Sequence, residues 1–300
     1  MTDKLKVGRH TIDISHPDKV LFPQDGITKG DLVDYYAKIA AVMLPYMKDR
    51  PVTMHRFPEG IDLEGFYQQE ASDYFPAWVG RATVAKREGG QITHVVCQDK
   101  ASLIYIANQG CITPHVWLSR RDKPEHPDLM IFDLDPPDGD FAPVRQAAVW
   151  LKELLAELEV TPFVKTTGSR GVHVVVPLDR SADFDRVRQL ARGIARRLAE
   201  RRPDHLTYEQ RKAKRRGRVF LDTLRNSYGQ TAVAPYAVRA RPGAPVATPI
   251  DWDELSGKGF DSQRYKINNI FIKLERGKDP WDSIRRQTYS AAAIEKRLQH

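Results

Sequence analysis

Three hundred residues, 41% of them hydrophobic and 29% charged, can bury a full core and fit a soluble globular protein. No run approaches the roughly 20 apolar residues of a membrane span, and Met1-Thr2-Asp3-Lys4-Leu5-Lys6 lacks the apolar core of a signal peptide, so a cytoplasmic protein is expected. Two cysteines, Cys97 and Cys111, without a Cys-x-x-Cys argue against a disulfide framework or a cysteine zinc site, while a formal charge of +8 points to a polyanionic partner.

The first helix is expected to start at Thr28-Lys29-Gly30-Asp31, with Thr28 as cap and Asp31 in the capping-box position. Leu32, Tyr35, Tyr36, Ile39, Val42 and Met43 follow at helical spacing, and Pro45 is expected to end it. Val52–Met54, Ile92–Val96 and Ser102–Ile106 read as short extended runs between Gly- and Pro-bearing turns. A longer apolar run, Leu129-Met130-Ile131-Phe132-Asp133-Leu134-Asp135, stops at Pro136-Pro137. In a strand, residues two apart share a face, so Asp133 and Asp135 bring two carboxylates together, a pair that repels itself unless a cation lies between. The alternative at this position is a pair of solvated turn residues.

Val144 to Leu158 is amphipathic at helical period and leads into two strand candidates, Pro162-Phe163-Val164-Lys165 and Val172-His173-Val174-Val175-Val176. Between them lies Thr166-Thr167-Gly168-Ser169-Arg170-Gly171-Val172-His173. Its glycines allow a tight turn with outward N–H groups, and its hydroxyls, arginine and histidine suit a triphosphate, although it is not a P-loop. A plain hairpin with a core histidine is the competing reading.

Arg186, Arg188, Arg192, Arg196, Arg197, Arg201 and Arg202 share a segment with an apolar stripe of Phe184, Val187, Leu190, Ala191, Ile194 and Leu198, which reads as a helix with solvated arginines. The next basic cluster, Arg211, Lys212, Lys214, Arg215, Arg216 and Arg218, has no such stripe and reads as a loop able to neutralise phosphates beside Asp222. If the fold brings Asp222, at the end of Val219-Phe220-Leu221, alongside Asp133 and Asp135, the three make an oxygen-rich site suited to Mg²⁺ or Mn²⁺. Helices and strands interleave with no linker or repeat, giving an α/β or α+β domain.

An Asp-Leu-Asp-Pro strand, a Gly-Ser-Arg-Gly-Val-His turn and a later Phe-Leu-Asp are together similar to the three motifs of the archaeo-eukaryotic primase superfamily. The chain resembles in particular the polymerase domain of bacterial ligase D, which acts in non-homologous end joining. Lys19-Val20-Leu21-Phe22-Pro23, Arg50-Pro51-Val52-Thr53-Met54, Thr231-Ala232-Val233-Ala234-Pro235-Tyr236 and the stretch Val238 to Val246 carry the likeness, which runs from about Ile14 to Trp281.

The resemblance implies an α+β fold, a primase-like catalytic core with mixed and antiparallel sheets flanked by helices. It implies one primase-polymerase domain over residues 1–300, and neither a Lys-x-Asp-Gly ligase motif nor a histidine-rich nuclease segment is present. By the same likeness, Asp133, Asp135 and Asp222 would be catalytic and hold two Mn²⁺ or Mg²⁺ ions. Thr167, Ser169, Arg170, His173, Arg239 and His115 would contact the nucleotide, NTP or dNTP. Lys19 and Lys29, with His16 beside them, would grip a DNA 5′-phosphate, while Phe66, Tyr67 and Arg215 would touch template or DNA. His16 stands where members commonly have Asn, His55 where they have Lys, and Thr167 and Arg170 replace Ser and Lys in the nucleotide turn. Arginine keeps the cation and can clamp phosphate bidentately.

The expected activity is a DNA-dependent nucleotidyltransferase that extends or gap-fills primer 3′ ends at double-strand breaks. Its partners would be DNA ends, gaps or primer–templates with a 5′-phosphate, together with Ku and a separate ATP-dependent DNA ligase, in a prokaryotic, nucleoid-associated setting and with no membrane. A primase that starts chains de novo, a metal-dependent nuclease or phosphoesterase, and a non-catalytic DNA-end-binding module are the alternatives.

Overall fold

The computed structural model describes residues 2–137 and 139–299. The chain divides into two compact units and passes between them several times, which is why no linker marks a boundary. The first comprises the stretch up to Trp117 with Thr231–Ala247 and Tyr265–Phe271; the second comprises Leu118–Gln230, Thr248–Arg264 and the residues from Ile272 onward. No helix among the described residues is long and apolar enough to cross a membrane.

In the first unit an antiparallel sheet runs in the order Thr231–Val233, Cys111–Trp117, Val52–Arg56, Gln91–Val96 and Gly80–Ala85, and Phe66–Gln68 pairs with Val52–Arg56. Two hairpins, Thr2–Val7 with His10–Ser15 and Val20–Phe22 with Ile27–Thr28, accompany it. Helix Lys29–Met47 starts with the expected capping box: Thr28 Oγ1 accepts from the Asp31 N–H and Asp31 accepts from the Thr28 N–H. It does not stop at Pro45 but runs two residues further. One missing N–H near the end costs a single bond, and the burial of Met43 and Met47 carries the last turn on.

Ser102–Ile106, read as extended, lies inside helix Lys100–Asn108. Asp99 caps this helix by accepting from the Ser102 N–H at 2.8 Å, and Ala101 to Asn108 are all buried. A short helix buried all round has no polar face, and periodicity cannot separate it from a strand.

The second unit is built on a six-stranded mixed sheet in the order Leu206–Thr207, Val219–Asp222, Leu129–Asp135, Val172–Pro177, Phe163–Thr166 and Pro249–Ile250. Only the first pair is parallel. Phe141–Glu157 and Phe184–Arg201 are its long helices, capped by Asp140 and Asp183. The stripe predicted for the second of them is buried throughout. The basic run after it forms only one short 3-10 turn, Lys212–Lys214.

Candidate active site

Strand register alone gathers the acids. Asp133 pairs directly with Asp222 on one side and with His173 on the other, so all three side chains share a face, and Asp135, two residues on, shares it too. Asp133 is buried, with His173 Nε2 at 3.4 Å from one carboxylate oxygen and Arg225 Nε at 3.4 Å from the other. Burial would raise Asp133, but these two partners hold it well below its ordinary value. Asp222 accepts a hydrogen bond from the Leu224 N–H at 2.7 Å; burial, opposed by that bond, and then the charge of Asp133 leave it raised. Burial and the neighbouring Asp133 push Asp135 up to about 6 despite Arg170, with Asp222 adding to the rise.

As the side chains stand, no group of three His, Cys, Asp or Glu among the described residues closes tightly enough to hold a metal ion. Asp133 is turned toward His173 and Arg225, and Asp222 toward a backbone N–H. The donor chemistry nonetheless fits a hard divalent cation: three carboxylates on one face, two of them raised by burial and then by the charge of Asp133, both of which a bound positive charge would offset.

The turn at Thr167–Gly171 lies next to the aspartate strand. Its N–H groups are not all outward, as expected from the sequence; those of Ser169 and Gly171 bond inward to Thr167 Oγ1, both at 3.3 Å. Thr167 thereby shapes the turn, leaving Ser169 half-buried and Arg170 exposed. Gly168 adopts φ +63°, and a Cβ on Gly171 would drive into the Leu134 carbonyl oxygen, so both glycines are demanded by the backbone. His173 is buried, and burial followed by the charge of Lys165, its cross-strand partner, pushes it down to about 4. Arg215 stacks its guanidinium 3.7 Å over the ring of Phe220, which pairs with Asp135.

The first unit carries the remaining candidates in two places. Lys29, buried at the start of its helix, donates to the Ser15 carbonyl at 2.6 Å and to Ser15 Oγ at 2.8 Å. Lys19 pairs with Glu59 at 2.7 Å, and its carbonyl accepts the Lys29 N–H. Burial, then Lys19, then Arg56 push Lys29 down to about 8. His16 occupies the turn before Lys19 at φ +50°, and its carbonyl accepts the Lys19 N–H.

Elsewhere in that unit, His55 stacks on Tyr67 with ring centroids 4.0 Å apart, and His115 meets both rings edge-on. Burial and Arg239 push His55 down to about 4. Phe66 and Tyr67 are 47% and 60% exposed, with Arg56 over the Phe66 ring, so this edge offers open aromatic faces.

Sequence reasoning missed several supports. Arg225 sits three residues after Asp222, and a cation in the turn closing an acidic strand was a usable signal. Ser262 and Gln263 hold the nucleotide-turn candidate through the Gly171 and Ser169 carbonyls at 2.7 and 2.9 Å, from about 90 residues away, with no local signal.

Residues 28–281 match the family described as "LigD, primase-polymerase domain". The chain is 34% identical over 277 residues to the multifunctional non-homologous end joining DNA repair protein LigD of Mycobacterium tuberculosis, covering 89% of this chain and 36% of that protein. It is 32% identical over 261 residues to the bifunctional LigD of Bacillus subtilis, covering 86% and 42%. The chain thus spans less than half the length of these curated relatives. The solved polymerase domain of Mycobacterium tuberculosis ligase D in complex with DNA superposes with a TM-score of 0.86 at 32% identity, over 93% of this chain and 99% of that one. A mixed α+β fold, a triad of acids brought together by register and a match across both units agree: the chain belongs to the LigD primase-polymerase family, with the archaeo-eukaryotic primase fold.

Proposed function

We propose that this chain is a DNA-directed nucleotidyltransferase that extends or gap-fills 3′ ends during non-homologous end joining. One observation carries the reading: Asp133 and Asp222 face each other in register, with Asp135 on the same face, next to a glycine turn that presents Ser169 and Arg170. In this reaction a primer 3′-oxygen bonds to the nucleotide α-phosphorus while the bond to the bridging oxygen breaks; pyrophosphate leaves and the hydroxyl proton passes to solvent. Asp133, Asp135 and Asp222 are the residues that would hold two Mg²⁺ or Mn²⁺ ions, which when bound lower the pKa of the hydroxyl and offset phosphate charge.

Ser169 and Arg170 hold the triphosphate, with Thr167 fixing their turn. His173, expected to contact the nucleotide, is buried with Nε2 3.4 Å from Asp133, and its role is to orient that carboxylate instead. In the first unit, Lys19 and Lys29 grip a downstream 5′-phosphate, and His16 sets the turn that places Lys19. Phe66 and Tyr67 stack template bases, which any sequence permits. His115 and Arg239, beside the same aromatic cluster, contact nucleotide, and Arg215 contacts DNA near Asp222. Sealing would fall to a ligase activity outside these residues, with Ku as a further partner.

The test is extension of a labelled primer across a short gap, with and without a downstream 5′-phosphate, using ribo- and then deoxynucleotides. Lengthened primer, more of it with the phosphate, is expected. Release of mononucleotides, or no incorporation with saturating manganese, would overturn the reading.

A further inference from the structure

The arginines of helix Phe184–Arg201 divide into two sets. Arg186 pairs with Glu295 at 2.7 Å, Arg201 with Glu157 at 2.8 Å and Arg196 with Glu200 at 3.8 Å, while Arg197 donates to the Leu298 carbonyl. Arg188 and Arg192, one turn apart, make no hydrogen bond or ion pair among the described residues. Like charges at this spacing on a helix disfavour each other, so the pair gains nothing for the helix itself.

Both line a cleft of about 590 Å³ that Arg211, Arg218, Tyr208 and Asp222 also line. Among the described residues the Arg218 guanidinium donates only to the backbone carbonyls of Pro203, Lys214 and Arg215, so it braces the basic loop without losing its charge. Glu209 is the second acid of the cleft, and one of its oxygens accepts the Arg211 N–H. Four arginines against two carboxylates leave an excess of positive charge at the third aspartate. Tyr208, 40% exposed, adds an aromatic face.

Sheet order supplies the direction. The nucleotide turn precedes Val172–Pro177, on one flank of the aspartate strand, whereas Asp222 and the arginine cleft lie on the other. In phosphoryl transfer the entering and leaving oxygens are roughly in line across the phosphorus. If pyrophosphate departs toward Ser169 and Arg170, the attacking 3′-oxygen arrives from the Asp222 side.

We propose that this cleft seats the phosphodiester backbone of the strand being extended, with Arg188 and Arg192 contacting phosphates a few nucleotides behind its 3′ end. The assignment rests on the polymerase reading above and names where that substrate enters. Neutralising two phosphates predicts a salt signature as well as affinity, because each contact releases condensed counterions.

The experiment compares wild type with R188Q/R192Q and R188K/R192K. Binding of a fluorescent DNA bearing a 3′ single-stranded overhang is measured without nucleotide at several salt concentrations, beside steady-state kinetics and thermal melts. For the glutamine variant, overhang affinity should fall about tenfold and the slope of log K against log salt should flatten by roughly 1–2. Its primer KM should rise, its nucleotide KM should stay within about twofold, and the lysine variant should recover most of the binding. Unchanged overhang binding by a glutamine variant that melts like wild type would overturn the proposal. So would a raised nucleotide KM with primer KM unchanged, which would give the cleft to the triphosphate. Should wild type extend no primer while the arginines still govern overhang binding, the polymerase reading fails and the strand site stands.

Discussion

Two regions of this molecule hold like charges close together, and they do it by different means. On the carboxylate face of the second unit, Asp133 and Asp222 are register partners in a β-ladder, so their approach is fixed by backbone hydrogen bonds. In the lysine corner of the first unit, Lys19 and Lys29 meet through a turn and a helix start, each leaning on a local acceptor, Glu59 or Ser15. A ladder cannot relax without losing the sheet, whereas a lysine can swing away from its acceptor. The first arrangement suits chemistry that tolerates no misplacement; the second suits recognition that grades rather than switches.

That contrast is tested most severely at Asp135. Asp135→Ala should reduce nucleotide addition by on the order of 10²–10³-fold or more. It should leave DNA affinity unchanged or slightly tighter, because a negative charge beside the DNA is removed. Gap filling at saturating manganese, with filter or fluorescence binding alongside, checks both. Substantial residual extension would break the link between register and catalysis.

Gly171→Ala tests the rigidity itself. Its Cβ would push the Leu134 carbonyl and with it the aspartate strand, at a cost of roughly 1–3 kcal/mol, so the melting temperature should drop along with activity. A variant that melts like wild type would show that the strand gives way more easily than a ladder should. Arg170→Ala is milder, since that side chain is exposed and carries no fold. Its nucleotide KM should rise about ten- to a hundredfold, the scale of a charge-assisted contact, with the melt and the duplex affinity unmoved. An equal loss of duplex affinity would mean that Arg170 serves DNA instead.

The carboxylate face was legible in the sequence for the same reason that it is rigid. Alternation places Asp133 and Asp135 together from spacing alone, and the apolar run before Asp222 marks a strand of the same kind. What spacing could not give was the order of strands, and hence that Asp222 and His173 flank Asp133. Asn226 shows how far the hidden part extends. Fully buried, it accepts the Ile131 N–H at 2.8 Å and donates to the Ile131 carbonyl at 2.7 Å, standing in for a strand partner where the ladder to Val219–Asp222 has ended. A side chain that imitates backbone leaves no periodicity to read. The buried helix Lys100–Asn108 was opaque for the opposite reason, its unbroken apolar run from Leu103 to Ala107 passing equally well for a strand. Lys29 was visible as a helix-start residue, but its burial depends on Ser15, which reaches it from a separate hairpin.

The lysine corner should respond by degrees. Lys19→Ala or Lys29→Ala should cost on the order of 1–3 kcal/mol on gaps with a downstream 5′-phosphate and nothing on 5′-hydroxyl gaps. Measuring extension on the two substrates side by side separates phosphate recognition from general backbone contact, because loss on both would leave the lysines as ordinary DNA contacts.

The smallest effect is one of pH, and it belongs to Lys29 alone. Its pKa of about 8 lies below the ordinary lysine value, with burial as the chief cause, so the free corner carries its full charge only below that pH and loses it as pH rises. A bound phosphate favours the charged form and moves the loss to higher pH, so the advantage of a 5′-phosphate should shrink only a few-fold between pH 7.5 and 9.5. Lys29→Arg, which stays protonated throughout, should keep a flat ratio, and Lys29→Ala should show a flat but lower one. Both controls respond alike to any general effect of alkali on DNA or on the carboxylates, so the ratio isolates the lysine. A wild-type ratio as flat as that of Lys29→Arg would show that phosphate contact holds Lys29 charged across the whole range, making the corner as unyielding as the ladder and removing the contrast between the two regions.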